Sequence, residues 1–286
     1  METNTELNVA GVVRKELGAI LARLEKCLGH DALSITGEIR PGLERKVRTA
    51  IELTKNRGSR LSIILTTPGG IVEIVERMVD VIRHHYAEVS FIVPDYAMSA
   101  GTVFVMSGDQ ILMDYASCLG PIDAWVEKDG RLASVHSYLL QYERLRELAV
   151  VGRLTSADMV LLNKLDLADL HQYEQAMALS VTLLKGWLAR YKFKDWTKTA
   201  TRGLTVTPNM KTERAKAIAR DLNNTEKWHS HGRSINMRVL NEEVGLQVDD
   251  FRKNQALASL VDEYFGLLKD AVRDMGLHFV HSRGYI

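Results

Sequence analysis

Twice in this chain a short apolar run of strand type stops at a glycine-bearing turn and gives way at once to helical spacing. That repetition limits the available folds more than any other feature. The first unit is Leu61-Ser62-Ile63-Ile64-Leu65, then Thr67-Pro68-Gly69-Gly70, then Val72, Val75, Val79, Ile82 and Tyr86 recurring every three or four residues. The second is Val89 to Val93, then Ala97-Met98-Ser99-Ala100-Gly101 opening another helical segment, with Asp109 to Met113 as the next strand. Nearly continuous apolar strands are buried on both faces, the condition of a parallel sheet covered by helices. Strand, turn and helix in repetition predict an α/β sheet whose ligand chemistry lies at the carboxyl ends of its strands.

The flanks read as helix. Val13, Leu17, Leu21 and Leu24 predict an amphipathic helix over 11–28, available as an arm for assembly. Residues 32–39 read as a strand, and Leu43, Val47, Ala50 and Ile51 predict a helix over 42–54. Beyond Trp125 the pattern turns helical, with Leu139, Tyr142, Leu145 and Leu148 on one face. Thr155 and Asp158 mark a helix start, and a long amphipathic helix runs from Leu170 to Tyr191. The looser stretch 192–211 contains Gly203 and Pro208 and separates the core from a C-terminal helical region. The expected organisation is an N-terminal helical arm at 1–28, an α/β core at 29–191 and a C-terminal helical extension at 192–286.

Composition narrows the function classes. With 37 Lys and Arg against 36 Asp and Glu the formal charge is +1, so no global field favours nucleic acid or an anionic membrane. Cys27 and Cys118 form neither a metal-spaced set nor a redox pair and read as buried thiols of a reducing compartment. The polar first ten residues lack the blocks of a signal peptide, and no run approaches the roughly 18 apolar residues of a spanning helix. A cytoplasmic protein without a membrane span is expected.

Acyl transfer needs a nucleophile, a base and backbone N–H groups aimed at a developing oxyanion. Taken singly, the Pro-Gly-Gly turn is a place where glycine permits positive φ, and Ser99 is a helix cap. Together the two turns resemble the superfamily of the Clp protease proteolytic subunit and the signal peptide peptidase A enzymes. That likeness spans roughly residues 30–170. Over most of the chain, through Gly120-Pro121-Ile122-Asp123, Asn163-Lys164-Leu165-Asp166 and Trp228-His229-Ser230-His231-Gly232-Arg233, it resembles the serine dehydrogenase proteinases.

The resemblance implies a ClpP/crotonase-like core, with Ser99 as nucleophile and the N–H groups of Gly70 and Ala100 as the oxyanion hole. It also implies a homo-oligomer that admits peptides or unfolded chains, with no cofactor. Gly69, Gly120 and Asp123 are expected at the cleft, and Arg233 as a candidate holder of a substrate carboxylate. The base departs from the Clp pattern: Leu119 to Trp125 contains no histidine and looks more like the corresponding turn of the signal peptide peptidases, which pair serine with lysine. Lys164, on a short helix with Met159, Leu161, Leu162 and Leu165, is the preferred partner. As a base it needs desolvation, since at a pKa near 10.4 only about one lysine in 2,500 is neutral at pH 7.

Lys128 and Lys185 are weaker candidates, and His136 reads as a surface residue. His229 and His231 are spaced like a metal pair but lack further ligands, so no metal is expected. Their segment reads as an anchor near the core or as a second chain's contribution to a pocket. Asp123 is read as orienting Lys164 or a hydroxyl, or equally as capping a turn. Two other readings stand beside the Ser-Lys peptidase: an acyl-coenzyme A enzyme of crotonase type, and a catalytically inactive scaffold with the protease fold. No G-x-x-x-x-G-K motif is present, and ATP-independent chemistry is expected.

Overall fold

The computed structural model describes residues 3–123, 125–128, 131–199, 203–275, 279–283 and 285. In chain order the elements are α1 (Thr3–Leu28), β1 (Asp31–Thr36), α2 (Leu43–Leu53), β2 (Arg60–Thr66), α3 (Val72–His85), β3 (Glu88–Ile92), β4 (Tyr96–Ala97), α4 (Ala100–Val105), β5 (Gln110–Met113) and β6 (Cys118–Leu119). Then come β7 (Trp125–Lys128), β8 (Arg131–Ser134), α5 (Val135–Val150), α6 (Ser156–Leu162) and α7 (Leu167–Trp187). The last part holds α8 (Pro208–Leu222), α9 (Thr225–Trp228), β9 (Ile235–Asn236), α10 (Met237–Val239), β10 (Asp249–Asp250), α11 (Gln255–Met275) and β11 (Phe279–His281).

The main sheet has the order β10-β5-β3-β2-β1-β11, parallel throughout except for antiparallel β11. Alternation along β2 explains why it is buried on both sides. Leu61, Ile63 and Leu65 join the core beneath α2, α3, α4, α7 and α8, whereas Ile64 points the other way into a second core with Ala32 and Ile92. That second core is closed by Leu17, Ile20, Leu21 and Leu24 of α1 and by Leu257, Val261, Tyr264 and Leu268 of α11. The apolar face of α1, expected as an arm for assembly, is thus covered within the chain.

Local signals act where the sequence places them. Thr155 and Asp158 form a reciprocal capping box on α6, and Thr207 caps α8 with Pro208 at its first turn. The region beyond 191 is largely helical. It also supplies β10 and β11 to the main sheet and β9 to a small sheet, β4-β6-β9. Two readings need correction. Residues after Trp125 form the hairpin β7-β8 before any helix, and the cysteines are not two buried thiols, since Cys27 is exposed and Cys118 only half-buried. The side chains of Lys128 and His136 lie outside the described residues.

Candidate active site

Thr67 joins the two glycine turns. Its N–H donates to Tyr96 O at 3.0 Å, and its carbonyl accepts from Met98 N–H at 3.0 Å. The strand leading into the first turn is thereby fixed beside the strand leading into the second. The buried Thr67 hydroxyl also accepts from Gly69 N–H at 3.0 Å. Backbone then meets backbone so closely that side chains are excluded. A Cβ on Gly69 would lie 2.7 Å from Met98 O and 2.9 Å from Ser99 Cβ, and one on Gly70 would lie 2.2 Å from Ile39 O.

Both glycines also have positive φ, 104° and 143°. Gly70 bridges Ile39 in parallel fashion, through Ile39 N–H to Gly69 O at 2.8 Å and Ile71 N–H to Ile39 O at 2.9 Å. A bridge made this way leaves the N–H of Gly70 itself directed away from Ile39.

Ser99 has φ 53° and ψ −119°, a conformation outside the regions that residues with a Cβ favour. Such strain costs on the order of 1–3 kcal/mol and persists only where the surroundings dictate it. Here Gly101 N–H donates to Met98 O at 2.8 Å, and fully buried Thr102 donates its hydroxyl to Ala97 O at 2.8 Å and lies 2.9 Å from Gly120 O. Gly120 N–H in turn donates to the Thr102 hydroxyl at 3.0 Å. Strand β4, the Ser99 turn and Gly120 are therefore one clamped unit. Ala100 begins α4, so its N–H has no acceptor one turn earlier in that helix.

A cavity of about 680 Å³ opens over this unit, lined by Pro68, Gly69, Gly70, Ser99, Ala100, Ile122 and residues of α3 and α7. It is also lined by His231. Strand β6 explains how so distant a residue arrives. It pairs in parallel with β4, which enters the Ser99 turn, and antiparallel with β9, which comes just after the His231 loop. The loop is set by His229 in left-handed conformation at the end of α9 and by an Arg233 N–H to Ser230 O bond of 3.0 Å.

His231 Nδ1 lies 2.8 Å from Asp123 Oδ1, and Asp123 is 3% exposed. A carboxylate oxygen accepts, so in this pair it is Nδ1–H that donates to Asp123.

The residues singled out from the sequence divide accordingly. Gly69, Gly70, Ser99 and Ala100 line one cavity, Gly120 braces it, and Asp123 stands behind His231. Lys164 is exposed just beyond α6 and is not among the lining residues, and Arg233 is likewise exposed. Lys185 lines a different cavity with Lys216 and Arg220. His231 is the residue that sequence reasoning saw without assigning. Its segment was legible as an anchor, but the pairing with Asp123, 108 residues away, depends on β6 and β9.

The family model for ClpP-like SDH-type serine proteinases matches residues 42–206, more than half of the chain. The chain belongs to this family. Among curated relatives, the uncharacterized protein MJ0137 of Methanocaldococcus jannaschii is 41% identical over 63 residues, 22% of each chain. The uncharacterized protein MJ1495 of the same organism is 28% identical over 102 residues, 36% of this chain and 35% of that one. The chain thus spans about a fifth and a third of the length of these relatives.

Two solved structures give partial likenesses. ClpP1 of Listeria monocytogenes has 19% identity and a TM-score of 0.30, covering 33% of this chain and 57% of that one. The 1510-N membrane-bound stomatin-specific protease, in a complex with a substrate peptide, has 22% identity and a TM-score of 0.32, covering 41% and 57%. Among the described residues of this family member, no group of His, Cys, Asp and Glu is placed to hold a metal, and no helix is long and apolar enough to cross a membrane.

Proposed function

We propose that this proteinase-family chain hydrolyses peptide bonds through an acyl-enzyme on Ser99, with His231 as general base and Asp123 as its positioning residue. The observation that carries this reading is that His231, held at Nδ1 by a buried carboxylate, lines the same cavity as a serine in strained conformation. The chain order Ser, Asp, His is that of the α/β-hydrolases, a recurrence of geometry on another fold. Lys164 is the weaker candidate, because it is exposed and does not line the cavity that holds Ser99.

In the proposed reaction Ser99 Oγ attacks the scissile carbonyl carbon while His231 Nε2 takes its proton. Asp123 stabilises the imidazolium so formed. The N–H groups of Gly70 and Ala100 receive the oxyanion, and each such donor is worth roughly 2.7–4 kcal/mol in the transition state. His231 then returns the proton to the departing amine, and water releases the acyl group by the same steps in reverse order of roles. No cofactor enters.

The substrates in this reading are peptides or unfolded chains in the cytoplasm, and the working form is an assembly of copies. The exposed apolar residues Val150, Val151, Met159, Val160 and Leu161 on and beside α5 and α6 support assembly. The test is hydrolysis of fluorogenic peptides with quenched-flow mass detection of an acyl adduct on Ser99. A burst of adduct is expected in the wild type and none in Ser99→Ala. Turnover persisting in Ser99→Ala would refute the reading.

A further inference from the structure

The walls of the Ser99 cavity differ in character from its floor. Ile71, Val72, Ile122 and Ala176 present apolar surface, while Glu38 and Glu73 bring two carboxylates. Among the described residues, no lysine or arginine lines the cavity. Glu38 accepts from Arg40 Nη2 at 2.5 Å, but Arg40 stands outside the lining and its side chain is 61% exposed, so solvent screens much of its charge. Glu73 makes no ion pair with a described residue.

Glu73 sits in the first turn of α3, where the helix end contributes roughly half a positive charge. One full carboxylate exceeds that half charge, so the helix end does not neutralise Glu73.

Resting on the peptidase reading above, we propose that the cavity selects substrates carrying a lysine or arginine side chain beside the scissile bond. Glu73 is the principal specificity-determining residue. An alkyl stem fits the apolar wall of Ile71, Val72, Ile122 and Ala176 while its charged head reaches the carboxylates, as long cationic side chains do at apolar surfaces with a polar rim. An acidic side chain in the same place meets like charge and is rejected. Because Glu73 is exposed, the attraction is that of a partly solvated pair, worth roughly 1.5- to fivefold in affinity.

The test uses the full-length Ser99→Ala protein, which binds without turning over. Fluorescein-labelled heptapeptides that differ only in a central lysine, norleucine or glutamate are titrated by anisotropy at low and high salt. The lysine peptide is expected to bind roughly 1.5- to fivefold tighter than the norleucine peptide, and the glutamate peptide weaker than both. The lysine advantage should shrink at high salt, fall toward unity with Glu73→Gln and invert with Glu73→Lys.

Equal affinities, tighter binding of the glutamate peptide, a lysine advantage untouched by Glu73→Gln, or no binding of any peptide would each overturn the proposal. The same peptides offered to the wild-type protein separate the two readings. Charge-selective binding without hydrolysis counts against the peptidase assignment alone, and hydrolysis without charge discrimination counts against the selectivity alone.

Discussion

The two ends of the main sheet are built from the same strands and treat polar groups in opposite ways. At the amino ends of β2, β3, β5 and β10, Arg60, Glu88, Gln110 and Asp249 rim a polar cavity of about 350 Å³ together with His30, Asp109, Lys192 and Lys194. There the charges largely close on one another. Asp109 takes Arg83 at 2.8 Å, Lys194 at 2.7 Å and Val89 N–H at 2.7 Å, and Arg83 also lies 3.7 Å over the Tyr191 ring. Burial raises the Asp109 pKa, yet Lys194, the Val89 N–H and Arg83 outweigh it and hold the carboxyl below its usual range.

At the carboxyl ends the backbone is strained, side chains are excluded at Gly69 and Gly70, and Ser99 and His231 face open space. At the amino end the polar groups close on one another in ion pairs, whereas at the carboxyl end Ser99 and His231 line the cavity.

The contrast predicts that changes at the carboxyl end abolish activity with little loss of stability, and that changes at the amino end do the reverse. The largest effect is expected for Ser99→Ala or His231→Ala, each lowering kcat/KM on a peptide by about 10⁴-fold or more while the thermal midpoint stays within a few degrees. Lys164→Ala should leave kcat/KM within about twofold. Gly70→Ala breaks the contrast from within. The added methyl meets Ile39 O and the φ of 143° resists a side chain, so both activity and several kcal/mol of stability should be lost in denaturant titrations.

At the other end, Asp109→Asn removes the charge that Arg83 and Lys194 share. It should lower stability by roughly 3 kcal/mol with kcat/KM unchanged. A loss of activity matching the loss of folded protein would be consistent with this. A specific loss of kcat would contradict the separation of the two ends.

A further prediction concerns pH. His281, buried in β11 with its Nδ1 2.7 Å from the Tyr264 hydroxyl, has a pKa pushed down to about 4 by burial. The unfolded chain, with an ordinary histidine near 6.5, binds the extra proton first as pH falls. Stability from this group is therefore full above about 6.5, declines by about 1.4 kcal/mol per pH unit below it, and levels off near 4. Denaturant melts across this range for wild type and His281→Gln should show the difference in slope.

How much of this was legible depends on what each feature requires of the sequence. The Pro68-Gly69-Gly70 turn and Ser99 stand out because close backbone approach leaves glycine little substitute, and because β2 and β3 are apolar on both faces. Strands β9, β10 and β11 are two or three residues long and carry no period, so the return of the chain's last third to the sheet was invisible. The same blindness hid His231. A histidine 108 residues beyond its carboxylate partner has no local pattern, whereas Lys164 stands among apolar neighbours that read locally as a desolvating site. In the structure Met159, Val160 and Leu161 are themselves exposed, so they bury nothing beside it.

The central claim is that Ser99 is activated by His231. The most direct measurement is the rate at which a fluorophosphonate labels Ser99, monitored by intact mass, in wild type, Ser99→Ala, His231→Ala and Lys164→Ala. The account predicts stoichiometric labelling of the wild type and of Lys164→Ala, none in Ser99→Ala, and a rate reduced by at least about 100-fold in folded His231→Ala. Labelling that is unchanged in His231→Ala, or that disappears in folded Lys164→Ala, would contradict it.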